Sequence, residues 1–113
     1  MAHPVVHFEI LGKDGKKLQA FYRKLFGWTI DAGNPMKYGI VKKERRGIMG
    51  GIGQAPRGKG HVTVYVHVPD LKKSLDKAVK LGGKVVMPPT EVMPEVNIAL
   101  FQDPDGHVIG LVK

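Results

Sequence analysis

The stretch Val5–Trp28, VVHFEILGKDGKKLQAFYRKLFGW, decides the fold because its hydrophobic period changes partway along. Over Val5–Leu11, apolar Val6, Phe8 and Ile10 alternate with His7 and Glu9, the period of two of a half-buried strand. From Lys16 to Phe26, apolar Leu18, Phe21, Tyr22 and Leu25 fall at i, i+3, i+4 and i+7, one stripe of an amphipathic helix. Asp14 stands where an N-cap accepts from first-turn amides, and Gly27 where a helix ends in a left-handed residue. The segment is therefore a strand feeding a helix.

Beyond it, Trp28–Ile30 restarts as a strand and Gly33-Asn34-Pro35 breaks it. Met36–Lys43 and Ile48–Gly53 flank Glu44-Arg45-Arg46-Gly47, which predicts a hairpin. Module one, residues 4–53, thus reads β-α-β-β-β. Gln54–Gly60 (QAPRGKG) reads as a linker, and residues 61–113 repeat the order as module two. His61–Val68 has Val at every even position. Asp70 opens a second helix with the stripe Leu71, Leu75, Ala78 and Val79, and Gly82-Gly83 ends it. Lys84–Met87 is a strand stopped by Pro88-Pro89, and Val96–Gln102 pairs with His107–Lys113 around the turn Asp103–Gly106. Shifting the chain by 56 residues superposes Asp14 on Asp70 and Gly27 on Gly83, two residues with fixed structural jobs. The predicted fold is α+β, one domain of two βαβββ modules. A helix covers one face of each sheet, and the remaining faces must meet each other or a partner chain.

Composition narrows the function classes. At 113 residues, 42% hydrophobic and 25% charged, with 15 glycines, the chain is neither disordered, coiled coil nor collagen-like. No apolar run approaches the ~18 residues of a membrane span, and residues 1–20 lack a signal-peptide stretch, so a cytoplasmic protein without membrane contact is expected. The absence of Cys excludes a disulfide framework, a thiolate nucleophile and Cys-ligated zinc. Eighteen Lys+Arg against ten Asp+Glu give +8, which attracts polyanions. Lys17 with Lys24, and Lys73 with Lys77 and Lys80, lie in rows on helix faces, and no nucleic-acid-reading motif accompanies them. Such rows read as solvated surface. A polyanion or nucleic-acid binder using them is the third-ranked reading.

FYRKLFGW (Phe21–Trp28), VHVPDL (Val66–Leu71), KLGGKVVMPP (Lys80–Pro89) and DPDGHVIGL (Asp103–Leu111), in this element order, resemble the glyoxalase / bleomycin-resistance / extradiol dioxygenase superfamily, also called vicinal oxygen chelate. The resemblance covers essentially the whole chain. It implies modules curled into a sheet-lined cleft with helices outside, a homodimer, and usually one divalent metal. The family's ligand positions, on the first and last strand of each module, map to His7, Gly50, Thr63 and Gly110. Only His7 among these is a usual ligand, whereas a divalent ion wants three or four N/O donors at about 2.0–2.2 Å. The usual metal site is therefore expected to be absent, and no cofactor is expected. Rebuilding it from neighbours would draw on Glu9 or His61. His61 and His67 stand roughly 20 Å apart along a strand and cannot chelate one ion together.

His7 and Glu9 share a strand face and form the acid/base pair that strand geometry allows. His7 reads either as an interior histidine satisfied by Glu9 or as a ligand contact. Glu9 reads either as its counter-ion or as a general base. Thr63, Tyr65 and His67 share the face opposite the Val row and are candidate ligand contacts, or half-exposed strand residues. Trp28 and Tyr38 are cleft-wall aromatics or core. Gly50 and Gly110 leave space where relatives place a side chain. The leading reading is a small-molecule-binding protein of this superfamily without the metal site, binding or turning over a metabolite through His7 and Glu9. The second is a metal-dependent lyase, isomerase or dioxygenase of the lactoylglutathione lyase type.

Overall fold

Two helices form where the apolar stripes lie, and both begin at the expected aspartates. In the computed structural model, which describes residues 2–113, the elements are β1 (Val5–Gly12), α1 (Gly15–Phe26), β2 (Ile30–Asp31), β3 (Gly39–Val41), β4 (Met49–Gln54), β5 (His61–His67), α2 (Leu71–Lys80), β6 (Lys84–Met93), β7 (Val96–Gln102) and β8 (Val108–Val112). The Asp14 carboxylate accepts from the Lys17 amide at 3.1 Å, and Asp70 from Lys73 at 3.0 Å. Each cap satisfies an amide that the helix itself cannot, a contribution of about 1 kcal/mol. Gly27 takes φ +70° and donates to the Arg23 carbonyl, closing α1. Among the described residues no helix is long and apolar enough to cross a membrane.

The chain divides into two compact units, one of residues His7–Val62, the other of Thr63–Lys113 with the first residues up to Val6. In the first, the strands run β2-β3-β4-β1, with β4 parallel to β1 and the other pairs antiparallel. Its core is Ile30, Val41 and Ile52, against which Phe8, Ile10, Leu18, Tyr22 and Trp28 pack. α1 therefore covers the sheet face that carries Phe8, Ile10 and Ile52. Buried Gln19 pins the helix to that face, donating to the carbonyls of Ile52 at 2.7 Å and Lys37 at 3.1 Å. In the second unit the order is β5-β8-β7-β6, again with one parallel pair, β5 with β8. Val68, Leu71, Leu75, Ala99 and Leu111 form its core.

The α+β class and the β-α-β-β-β order of each half agree with the sequence reading, and three elements differ in extent. Pro88-Pro89 do not stop β6, which continues to Met93. β6 is the last strand in its order, so a proline there removes no second ladder, and the pairing with β7 shifts register on either side of the prolines. β3 is shorter than the expected Met36–Lys43, because Asn34 holds residues 34–38 as a loop. Its side-chain oxygen accepts from the Tyr38 amide at 3.0 Å and its nitrogen donates to the Tyr38 carbonyl at 2.7 Å. β2 is confined to Ile30–Asp31.

Ile52 is fully buried between α1 and the neighbouring strands. Ile52→Ala is expected to remove about 2–5 kcal/mol of stability in urea unfolding. A loss below about 1 kcal/mol would contradict a packed α1–β4 contact.

Candidate functional site

Strand alternation sends the odd-numbered residues of β1 to the face away from α1, and His7 and Glu9 are among them. In register beside them on β4 are Met49 with His7 and Gly51 with Glu9, followed by Gly53 with Leu11. Gly51 and Gly53 leave a trough on this face, and the Tyr38 ring lies in it. A Cβ on Gly51 would overlap the Tyr38 phenol. The Asn34 clamp fixes the backbone from which that ring departs.

The Tyr38 hydroxyl bridges His7 and Glu9. It lies 3.0 Å from His7 Nε2 and donates to Glu9 Oε2 at 2.9 Å. A phenol has one proton. With that proton on the bond to Glu9, His7 Nε2 carries hydrogen and donates to the phenol oxygen. The direction is His7 N–H to Tyr38 O–H to the Glu9 carboxylate. His61 reaches the other carboxylate oxygen, its Nε2 lying 3.4 Å from Glu9 Oε1. The Glu9 side chain is 12% exposed and that of His61 39%, so the carboxylate is largely withdrawn from water while its histidine partner stays wet. Burial holds the His7 imidazole below its ordinary pKa of 6.5, and the negative charge of Glu9 opposes this without reversing it. His7 is therefore mainly neutral at pH 7.

Of the residues singled out in the sequence, the first unit brings His7, Glu9, Tyr38 and His61 together and places Trp28 and Gly50 elsewhere. Trp28 stacks on Tyr22 at 5.6 Å and packs against Phe8 and Phe26, in the cluster under α1 rather than on the His7 face. Gly50 is not open space. Its register partner is Phe8, whose ring occupies the position a Cβ would take, again on the α1 face. In the second unit Gly110 is likewise covered, by the ring of buried Tyr65. Thr63 is buried and donates to the Val108 carbonyl at 2.6 Å, and His67 is exposed at the end of β5. Sequence alone does not join Tyr38 and His61 to the acid/base pair. The signal for Tyr38 is the alternate glycines at 51 and 53, which leave one strand face bare for a large neighbouring ring.

The donors at the family's metal positions do not match a divalent ion. Gly50 and Gly110 offer no side chain, Thr63 is engaged with a carbonyl, and the Tyr38 phenol stands between His7 and Glu9. Among the described residues no three of His, Asp or Glu are grouped to hold an ion.

Two βαβββ units, each with a helix on one sheet face, define the architecture of the glyoxalase / bleomycin-resistance / dioxygenase superfamily. The sequence model of the family described as Glyoxalase-like domain matches residues 8–112, and the chain belongs to that family. A curated relative from Mycobacterium bovis, named as a glyoxylase, CFP32, is 29% identical over 107 residues, covering 87% of this chain. The match takes in 41% of that relative, so the chain spans about two-fifths of its length. Among solved structures, a glyoxalase/bleomycin resistance protein/dioxygenase superfamily member from Vibrio splendidus superposes with TM-score 0.63 at 16% identity, over 98% of both chains. Methylmalonyl-CoA epimerase from Mycobacterium tuberculosis superposes with TM-score 0.69 at 14% identity, over 96% of this chain and 85% of that one. These two likenesses establish the shared fold.

The depressed His7 pKa has a definite consequence for stability. As pH falls through about 6.5, the unfolded chain takes up a proton at this position that the folded chain still refuses. Stability present above pH 6.5 is therefore lost as pH drops toward the folded-state pKa. Thermal melts of wild type and His7→Gln between about pH 7.5 and 5 should show a shallower decline in the variant. Equal slopes would mean that His7 is not held neutral by burial.

Proposed function

We propose that this is a small-molecule-binding glyoxalase-like protein that moves a proton on its ligand without the family's usual metal, using Glu9, Tyr38 and His7. The observation that carries the reading is the Tyr38 hydroxyl within hydrogen-bond distance of both His7 and Glu9. Chemically, the array supplies one proton acceptor and two donors. The Glu9 carboxylate takes a proton from a carbon acidified by a neighbouring carbonyl. The negative charge then developing on the carbonyl oxygen is met by the O–H of Tyr38 or the N–H of neutral His7, and the proton returns from Glu9. A neutral histidine suits this role, because it can donate without first neutralising Glu9. The superfamily fold, shared with an enzyme named as an epimerase, is compatible with such chemistry. Exposed Phe21, Leu25 and Phe26 on α1 fit association into the homodimer that the resemblance implies.

The test is exchange of carbon-bound hydrogen in D₂O, followed by proton NMR, over a panel of 2-oxo acids, α-hydroxyketones and branched acyl thioesters including methylmalonyl-CoA. Wild type is expected to wash deuterium into at least one of them. Glu9→Gln and Tyr38→Phe should each slow this by about 10²–10⁴-fold, the range of positioned acid–base groups. Exchange that proceeds equally fast in both variants would sink the reading, as would a ligand bound with no exchange at all.

A further inference from the structure

The hairpin turn between β3 and β4 is the most concentrated charge in the chain. Lys42, Lys43, Arg45 and Arg46 set four cations against Glu44 within five residues, and all five are exposed. The Gly47 amide donates to the Glu44 carbonyl at 3.0 Å, closing a tight turn with the two arginines at its centre. The ion pairs formed among the described residues join His61 to Glu9, Lys72 to Asp76 and His107 to Asp103, and none of them involves this turn. It differs in this from the helix lysines, which are spread along two faces and one of which is already paired with Asp76.

Its place in the sheet matters as much as its charge. The turn runs directly into β4, whose first residue, Met49, is in register with His7. Arg46 lies three positions before Met49, at most about 10 Å of chain away. Cations and acid/base array therefore lie at the same end of the β1–β4 pair. Single exposed charges are screened within about 8 Å at physiological salt, but adjacent arginines can each bind a phosphate oxygen pair in bidentate fashion and hold it against that screening.

We propose that the Lys42–Arg46 turn holds the phosphate-type end of an anionic small-molecule substrate, whose reacting carbon reaches the His7–Tyr38–Glu9 array. The placement of the reacting end rests on the proton-transfer reading. The anion site itself can be tested apart from it.

The probe is inorganic pyrophosphate, titrated into ¹⁵N-labelled protein at about 150 mM NaCl, near physiological ionic strength, while amide shifts are followed. Saturable shifts confined to Lys42–Met49 and the start of β1 are expected. Arg45→Gln/Arg46→Gln, an exposed turn change that leaves the core intact, should weaken binding by about tenfold or more. Lys73→Gln/Lys77→Gln should leave it unchanged. Shifts spread over the helix lysines, or undiminished in the arginine double variant, would overturn the proposal. So would a single-stranded oligonucleotide that displaces pyrophosphate at equal phosphate concentration and extends the shifts to both helix rows, since that marks a nucleic-acid surface. If Glu9→Gln leaves exchange untouched while pyrophosphate still binds at the turn, the proton-transfer reading fails and the anion site stands. If Glu9→Gln abolishes exchange but pyrophosphate finds no localised site, the anion site fails and the proton-transfer reading stands.

Discussion

The Tyr38 ring can lie across β4 only because that strand has no side chains at positions 51 and 53 on the face beside β1. A single methyl at position 51 would occupy the space of the phenol. Displaced, the hydroxyl would leave both His7 and Glu9, which it now bridges at 3.0 and 2.9 Å. The rest of the site is arranged around that constraint. Asn34 clamps the loop from which Tyr38 departs, and strand alternation keeps His7 and Glu9 on the trough side while Phe8 and Ile10 turn to α1. Glycine weakens a strand by entropy and lost packing, so a strand carrying Gly50, Gly51 and Gly53 makes sense where bulky neighbours fill each gap.

Burying a carboxylate is costly unless hydrogen bonds replace its water. Glu9 accepts from the Tyr38 phenol on one oxygen and contacts the exposed His61 on the other, so both oxygens have a polar partner although the side chain is 12% exposed. The two histidines differ in kind. His7 is held neutral by burial, with Glu9 opposing that shift only partly, whereas His61 keeps more than a third of its side chain in water.

Whatever depends on local rules is legible in the sequence. Caps at Asp14 and Asp70 and the left-handed stop at Gly27 are each set by a few neighbouring residues and appear as expected, whereas the apolar stripes are only partly buried: Leu18 and Tyr22 of α1 and Leu71 and Leu75 of α2 pack into the cores, but Phe21, Leu25 and Val79 stay exposed. The His7/Glu9 pairing is legible because period-2 alternation places both on one face. Tyr38 is not, because it reaches them from a loop 31 and 29 residues away and only the bare face of β4 foretells it. The run of β6 through Pro88-Pro89 is hidden for a related reason. Whether a proline breaks a strand depends on its being at an edge, and edge position is a tertiary fact. Gly50 and Gly110 read in isolation as room for a ligand, but each is filled by an aromatic ring from the parallel strand next to it.

Those two filled glycines also show how far the halves have diverged beneath a shared topology. Phe8 covers Gly50 on the face that packs under α1. Tyr65 covers Gly110 on the face opposite α2, since its neighbour Val66, paired with Leu111, is the residue that packs into the helix-side core. The ring-on-glycine contact recurs in the same strand pair but on opposite faces. Because a strand's side chains alternate with period two, an offset of one position is enough to exchange them. The 56-residue shift preserves the N-cap aspartates but not the helix end, since Gly82 rather than Gly83 takes the left-handed φ after α2, and it sets Thr63 and Tyr65 where the first half has His7 and Glu9. A hydroxyl bound to the Val108 carbonyl and a ring packed on glycine cannot reproduce a donor–acceptor pair. The His7–Tyr38–Glu9 array therefore belongs to the first half, and the repeated topology does not supply a second copy of it.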